Sequence, residues 1–394
     1  MTDYRYCKLI MITDDNHNKY YEMQETSENI QIKYGRVDSS CITITKPISQ
    51  WNSLIKSKLK KGYKDVTDLV AIVKDDSKPR TLLYSQELYD IFLKKMMDYR
   101  DGLVSSTYSV KANQVTRKQL EQAQLYINEL AKIKTDYELT EEDIKSINNL
   151  LIQLYTVIPR YMNKVQNYLI PNISLNNLVQ KEQDNLDAIS SQVIEEIQEN
   201  TDEKTTYSPA EQLGIKISKV DSSPTEIEYI TKQISKKIKG LFEVEIPKHK
   251  NKYRSYLESN AQKQQDNSKY LIHGTRCSSV IPIIEQGLKI RPSGNYHYSG
   301  KVYGDGNYFS EVVNKSLGYT GNDNDKILLI YQVYIGTPFI YKGWFRGNSF
   351  ELSYDELKSR GYDSTFVKAG NGLLNSEIIV YKEEQAHLRY IIWL

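Results

Sequence analysis

The spacing of apolar residues changes character twice along this chain. Over residues 1–78, short apolar runs stand between polar turns. Lys8-Leu9-Ile10-Met11-Ile12 and Cys41-Ile42-Thr43-Ile44-Thr45 are examples, and their pattern predicts β-strands. One helix is expected from Trp51 to Leu59. From 80 to 200 the period lengthens to that of a helix. Leu120, Ala123, Ile127, Leu130 and Ala131 fall on one face, as do Ile144, Ile147, Leu150, Leu151 and Leu154. The second of these helices carries its own start signal. Thr140 can cap it, Glu141, Glu142 and Asp143 meet the positive end of its dipole, and Pro159 limits its other end.

Residues 201–225 contain Ser, Thr, Pro and Gly and mark a boundary, as does Lys74-Asp75-Asp76-Ser77-Lys78-Pro79. Beyond 225 the period is that of a strand again. Phe242, Val244 and Ile246 alternate with Glu243 and Glu245, which predicts one buried face. Ile327-Leu328-Leu329-Ile330-Tyr331-Gln332-Val333 and Tyr390-Ile391-Ile392-Trp393-Leu394 are denser and suit central strands. A β-rich module, a helical stretch and a mixed region in that order make the chain α+β and multidomain. Its 394 residues suffice for two or three cores.

Charge sharpens this picture only locally. The formal net charge of +2 points to no partner. From Lys33 to Lys64, however, there are eight basic residues against one acid, Asp38, and Lys56, Lys58, Lys60, Lys61 and Lys64 form the densest part. By itself such a run is a solvated basic face with Trp51 in the core. The acidic run from Lys181 to Lys204 reads as the solvated face of a helix. Cys7, Cys41 and Cys277 are scattered, so neither a disulfide framework nor a metal site is expected, and an intracellular, reducing compartment is. No signal-peptide core or membrane-length apolar window occurs, so no membrane partner is expected.

The candidate chemistry lies in the last third. His273-Gly274-Thr275 is followed by Gly287-Leu288, then Gly304-Asp305-Gly306-Asn307-Tyr308-Phe309, then Lys315-Ser316-Leu317-Gly318-Tyr319. Glu377 opens the strand-like Glu377-Ile378-Ile379-Val380-Tyr381. Taken singly each is bland. A histidine beside Leu271-Ile272 is usually structural, and Gly304-x-Gly306 marks a tight turn. No Rossmann fingerprint or nucleoside-triphosphate loop is present. Together, an imidazole, two tyrosines, hydroxyls and one carboxylate could grip a nicotinamide riboside and stabilise a cationic sugar.

The order and spacing of these five segments resemble the catalytic domain of the poly(ADP-ribose) polymerases. Asn18-Lys19-Tyr20-Tyr21-Glu22-Met23-Gln24 and Lys33-Tyr34-Gly35-Arg36-Val37 resemble the WGR module of the DNA-dependent members. Leu154-Tyr155-Thr156-Val157-Ile158-Pro159 and its surroundings resemble their helical regulatory domain. The resemblance implies a WGR DNA-binding module at 1–78, an all-α helical regulatory domain at 80–200, and an ADP-ribosyltransferase domain at 212–394 with an antiparallel-rich split sheet. NAD+ would be the substrate, with no metal.

By the same resemblance, Glu377, His273 and Tyr308 are the catalytic residues. Glu377 accepts from the 2′-hydroxyl of the nicotinamide ribose, and His273 holds a ribose hydroxyl. Gly274, Thr275 and Ser316 bind the carboxamide, Tyr319 stacks on the ring, Tyr308 closes the opposite wall, and Lys315 lies near the acceptor. Ser279 and Lys289 stand where the family has an asparagine by the ribose and an arginine facing phosphate. Tyr34 replaces the WGR tryptophan. Tyr34, Arg36, Lys56, Lys58, Lys60, Lys61 and Lys64 become candidates for DNA, with Tyr63 and Trp51 supplying rings, and Arg36 also a candidate contact between domains.

Asn375, two residues before Glu377, argues against the Glu-x-Glu pair of arginine-modifying relatives. The implied function is DNA-break-stimulated transfer of ADP-ribose to proteins, including itself, with polymer extension in the DNA damage response. The alternatives are mono(ADP-ribosyl) transfer and an idle DNA-end scaffold. The implied partners are broken DNA, acceptor proteins and an accessory factor for serine modification. The implied compartment is the nucleus in a eukaryote and otherwise the cytoplasm.

Overall fold

The structure, a computed structural model, describes residues 4–37, 39–69, 81–133, 139–171, 175–199, 206–260, 267–290, 303–342, 354–370 and 373–394. The expected linker Lys74–Pro79 lies outside them. Contacts divide the chain into two compact units. One joins Met1–Ser77 to Leu103–Ile197, and the other joins Lys78–Gly102 to Gln198–Leu394.

The first unit begins with strands β1 (Tyr6–Ile12), β2 (Asn18–Glu25), β3 (Ile30–Arg36) and β4 (Ile42–Lys46), then helix α1 (Trp51–Lys60) and strand β5 (Lys64–Asp65). They form one antiparallel sheet in the order β4-β3-β2-β1-β5. Alternation along β3 buries Ile30 and Ile32 against Leu9, Met23 and Trp51, while Gln31 and Lys33 face water. Trp51 is in the core, where the basic run read by itself places it, and Tyr63, expected as a ring among surface lysines, is not at the surface. Trp51 and Tyr63 belong to this core at 6% and 9% exposure, because so small a sheet needs large side chains to close it. Tyr34 keeps partial exposure.

Four longer helices follow in the chain: α2 (Leu88–Thr107), α3 (Arg117–Ala131), α4 (Glu141–Val157) and α5 (Leu175–Glu199). Capping boxes start α3 and α4. Thr116 accepts from the Gln119 N–H, and Thr140 accepts from that of Asp143. Their apolar stripes bury Ala123, Ile127 and Leu130, and Ile147, Leu151 and Leu154. The acidic α5 is not simply a solvated face. Glu182 is buried and pairs with buried Arg160 at 2.6 Å, and the Arg160 guanidinium lies 4.3 Å from the Tyr155 ring centre. A buried guanidinium without a counter-charge would be strongly destabilising, so one acid of the run turns inward.

The second unit starts with β6 (Thr81–Leu82), which pairs in parallel with β7 (Thr206–Tyr207). Up to Gly102, α2 belongs here: Phe92, Leu93, Met96 and Met97 share one core with Phe242 and Trp393. Then come α6 (Pro209–Gln212), β8 (Lys216–Lys219), α7 (Glu228–Thr231), β9 (Gly240–Glu245), α8 (Pro247–Asn260), β10 (Ser268–Thr275), α9 (Val280–Gln286) and β11 (Asn307–Phe309). They are followed by α10 (Val313–Leu317), β12 (Ile327–Tyr334), β13 (Pro338–Tyr341), α11 (Tyr354–Ser359), β14 (Ser364–Val367), β15 (Glu377–Val380) and β16 (Ala386–Trp393).

The strands make a β10-β12-β16-β9-β8 sheet and a β11-β15-β14-β13 sheet, antiparallel throughout except where β13 meets β14. The unit is therefore mixed α/β with mostly antiparallel sheets. The two sheets touch at one bridge, Ile272 to Ser310. Both faces of the central strands are covered. Along β12, Ile327, Leu329, Tyr331 and Val333 enter one core, while Leu328 and Ile330 enter the other. β16 keeps step through a bulge. Ile330 pairs with Tyr390 but Tyr331 pairs with Leu388, so Arg389 is the extra residue and the inward parity shifts from Leu388 to Ile391.

Candidate active site

The candidate residues gather along the free edge of β10. Ile272 turns both backbone groups outward, its N–H to the Ser310 C=O at 2.9 Å and its C=O to the Ser310 N–H at 3.0 Å. Outward-facing backbone recurs every second residue of an antiparallel ladder. Gly274 therefore also points its N–H and C=O to the open edge, which no strand covers there among the described residues. A primary amide could donate and accept at that edge at once. Glycine is obligatory for a second reason. A Cβ at 274 would stand 1.8 Å from the Ser316 carbonyl oxygen, so α10 can lie against the strand only if no side chain intervenes. Ser316 is buried and its hydroxyl donates to the Ile272 carbonyl at 3.4 Å. Thr275, also buried, ends the strand.

His273 Nδ1 lies 3.1 Å from the Tyr308 carbonyl, which can only accept, so the proton belongs on Nδ1. Phe309 and Tyr331 meet the ring edge-on at 6.0 and 6.5 Å. Burial lowers the imidazole pKa, against the pull of that hydrogen bond. The ring is then neutral near pH 7, with Nε2 available to accept from a hydroxyl. Tyr308 is fixed at its far end. Its Oη donates to the Gly304 carbonyl at 2.8 Å and accepts the Tyr303 N–H at 2.8 Å.

Glu377 is 7% exposed at the start of β15, where Val367 of β14 is its register partner. Lys315 Nζ lies 2.8 Å from Glu377 Oε1 and donates to the Asn375 carbonyl at 3.0 Å. Among the described residues Glu377 has no other ion-pair partner. Burial raises the pKa of the Tyr303, Tyr308 and Tyr319 phenols, and the charge of Glu377 adds to the rise in each. The carboxylate thus lies within electrostatic reach of both candidate ring walls. The Tyr319 side chain is half exposed.

Two further candidates are placed differently. Ser279 closes the 3-10 turn Cys277–Ser279 just after the His-Gly-Thr strand. Lys289 is already engaged. Its Nζ lies 2.6 Å from Glu383 Oε2, and Glu383 Oε1 accepts the Ile290 N–H at 3.1 Å. A phosphate would have to displace that carboxylate to reach it.

In the first unit, Lys33, Lys56, Lys60, Lys61 and Lys64 are exposed. Lys58 is not: its ammonium folds over Tyr21, Tyr63 and Tyr34 at 4.0, 5.1 and 5.7 Å from the ring centres. Burial, with Lys61 and Lys19 nearby, lowers its pKa. The Arg36 guanidinium donates to the Met162 and Asn163 carbonyls at 2.8 Å and to the Asn16 carbonyl at 3.1 Å. It joins the small sheet to the segment after α4.

Sequence reasoning missed Tyr303, Glu383 and Asp325. Tyr303 is one of 32 tyrosines, and Asn322-Asp323-Asn324-Asp325 reads as an ordinary polar turn. Among the described residues no group of three or more His, Cys, Asp or Glu side chains could hold a metal ion. No described helix is long and apolar enough to cross a membrane.

A family profile described as "Poly(ADP-ribose) polymerase catalytic domain" matches residues 216–342. That stretch includes His273, Gly274, Tyr308, Lys315, Ser316 and Tyr319, whereas Glu377 lies beyond it. Protein 100L of Invertebrate iridescent virus 6, named as poly [ADP-ribose] polymerase-like, is 53% identical over 175 residues, 44% of this chain and 95% of that protein. Uncharacterized protein 101L of the same virus is 41% identical over 196 residues, 50% of this chain and 80% of its own length. Poly [ADP-ribose] polymerase 1 of Gallus gallus aligns with 93% of this chain at 22% identity, over 36% of its own length.

The matched catalytic-domain profile and the relatives define the class: an NAD+ ADP-ribosyltransferase. Within that class, this chain belongs to the poly(ADP-ribose) polymerase family.

Proposed function

We propose that this chain transfers ADP-ribose from NAD+ to proteins, itself included, that broken DNA stimulates the reaction, and that transfer continues into polymer. The observation that carries the chemistry is a buried carboxylate, Glu377, held by Lys315 of the helix packed on the Gly274 strand edge, an edge that can bind an amide. Breaking the bond between nicotinamide and the anomeric carbon leaves positive charge growing on the sugar. A fixed carboxylate shielded from water stabilises that charge more than bulk water does. Gly274 and Ser316 would hold the carboxamide, Tyr319 and Tyr308 would flank the ring, and neutral His273 would accept from a ribose hydroxyl through Nε2. Lys315 would fix the Glu377 carboxylate while the acceptor approaches.

The reading of DNA stimulation is supported by the alignment with the Gallus gallus polymerase over 93% of the chain, and by the exposed lysines of the first unit. Lys33, Lys56, Lys60, Lys61 and Lys64 could meet phosphates, and such binding falls steeply with salt. Tyr34 would offer its exposed part to a terminal base or sugar.

The test is a gel of the full chain after incubation with labelled NAD+, with and without nicked DNA. The proposal expects a smear that strengthens with DNA. A sharp band would replace polymerisation by mono transfer, equal labelling in both lanes would remove DNA stimulation, and no label on folded protein would leave a DNA-end scaffold.

A further inference from the structure

The carboxylate of Asp325 is buried, and four side chains donate to it. Oδ1 accepts from Lys239 Nζ at 2.8 Å and Trp393 Nε1 at 2.7 Å. Oδ2 accepts from Lys95 Nζ at 2.7 Å and Tyr99 Oη at 3.0 Å. Its backbone is engaged as well, because the Cys277 thiol donates to the Asp325 carbonyl at 3.5 Å. Cys277 directly follows Thr275-Arg276, so one residue touches the turn after the His-Gly-Thr strand and ends the loop that carries Tyr319.

That loop has two fixed ends, with Thr320 buried between them and the Arg276 side chain against Gly321. At the near end it grows out of α10, where the Tyr319 N–H donates to the Ser316 carbonyl at 3.1 Å and the Thr320 hydroxyl to the Leu317 carbonyl at 2.8 Å. At Gly321 the chain turns with φ +70°, a conformation that favours glycine, and Lys326 Nζ donates to the Gly321 carbonyl at 2.5 Å. The far end is Asp325. Two of its four donors, Lys95 and Tyr99, come from the part of α2 that belongs to this unit. A half-exposed ring on a short loop is only as well placed as the loop's anchors.

We infer that Asp325 is a positioning residue for the transfer reaction: by tying the Tyr319 loop to α2, it sets where Tyr319 meets the nicotinamide ring. The inference rests on the reading of Tyr319 as the stacking wall. It makes α2 a support of the NAD+ site, through Lys95 and Tyr99, as well as a packing element.

The test uses the full chain and free nicotinamide as the probe. Tyr99→Phe removes one donor and keeps the ring. Lys95→Ala removes a second, and Asp325→Asn weakens all four. Each should raise the KM for NAD+ and weaken nicotinamide inhibition by roughly three- to tenfold, with kcat changed less. Tyr319→Ala is measured alongside, alone and combined with Tyr99→Phe. If Asp325 acts through the ring, Tyr99→Phe has little further effect once the ring is gone. A purely structural role would lower the amount of active protein and its melting temperature, leaving KM and nicotinamide inhibition of the folded fraction unchanged. That result for Tyr99→Phe and Lys95→Ala, with Tyr319→Ala still impaired, overturns the inference alone. Unchanged nicotinamide inhibition in Tyr319→Ala overturns the stacking reading beneath it.

Discussion

Two buried carboxylates in the transferase unit are treated in opposite ways. Asp325 receives four side-chain donors, from Lys95, Tyr99, Lys239 and Trp393. Glu377, nearly as buried, has Lys315 alone among the described residues. Burying a carboxylate costs several kcal/mol unless its oxygens are satisfied. At Asp325 the cost is offset within the protein, so the group is a fixed joint. At Glu377 no second side-chain donor stands beside Lys315 among the described residues. A carboxylate kept out of water with unfilled acceptor positions suits a ligand that brings its own hydroxyl and its own developing charge. On the proposed reading, the difference separates a residue that builds the site from one that acts in it.

The sharpest way to break that contrast is Glu377→Gln. The amide keeps the shape and removes the charge, so transfer of label should fall by a factor of order 10²–10³ or more. NAD+ binding and melting temperature should stay close to those of the parent. Truncating Asp325 to Ala should do the reverse to stability. It leaves the buried Trp393 N–H without its acceptor, while Lys95 and Lys239 can turn to water, and should cost roughly 1–3 kcal/mol, read as a drop in the melting midpoint. If Glu377→Gln labels itself at the parental rate, the carboxylate is not the charge-stabilising group and the contrast is lost.

The next effect is set by α2. Deleting 80–200 as one regulatory segment would strip Phe92, Leu93, Met96 and Met97 from the transferase core, and Lys95 and Tyr99 from Asp325. Truncating a buried Phe alone costs about 3–5 kcal/mol, against a whole-domain stability of roughly 5–15 kcal/mol. That protein should be insoluble or inactive. Excising 103–197 spares those contacts and, under the proposed stimulation by DNA, should leave a transferase that no longer needs it. The joining linker must cover about the length of the retained helix, roughly 21 Å at ~1.5 Å per residue, because Thr81–Leu82 pairs beside Thr206–Tyr207. About 16 Gly/Ser residues reach that distance. Equal activity from both deletions would show that neither the core contacts of α2 nor its donors to Asp325 matter.

These two regions also show where the sequence is legible. The central strands β12 and β16 show in their dense apolar runs, since a doubly covered strand must be apolar on both faces, and the strand of Glu377 shows in Glu377–Tyr381, whereas His273 and Gly274 stand out only by residue order. Thr140 and its acids marked the start of α4 for a local reason, because a cap needs only neighbours in sequence. Asp325 was invisible because its donors come from positions 95, 99, 239 and 393, and no local pattern joins them. The same holds for Glu182 with Arg160 and for Glu383 with Lys289. Tyr63 looks like a surface ring among lysines until the small sheet is closed and found to need it inside.

The smallest effect separates both carboxylates from two imidazoles, one buried and one half-buried. His249 of α8 and His387 of β16 each have a pKa lowered to about 4, first by burial. Lys248, Lys252 and Lys289 add to the shift at His249. Arg389, His249 and Lys250 add to it at His387, and Glu245 opposes them there. Among the described residues neither ring nitrogen of His387 has a hydrogen-bond partner, and the Tyr253 ring lies 5.9 Å away. In the unfolded chain these imidazoles take up protons near pH 6.5, whereas in the folded chain they resist until about pH 4. Between those values the unfolded state binds more protons, so stability is fully present above about pH 6.5 and is lost as pH falls. The loss should be roughly 1–3 kcal/mol per imidazole, a drop of several degrees in melting temperature. Asp325 contributes nothing in that window. Burial would raise its pKa, but its hydrogen bonds outweigh burial and hold it below the usual carboxylate range, so its contribution fails only in stronger acid. His387→Leu should therefore lose less melting temperature than the parent between pH 7 and pH 4.5, with Asp325 unaltered in both proteins. Parallel losses in the two proteins would remove His387 as the acid-sensitive group and move attention back to the carboxylates.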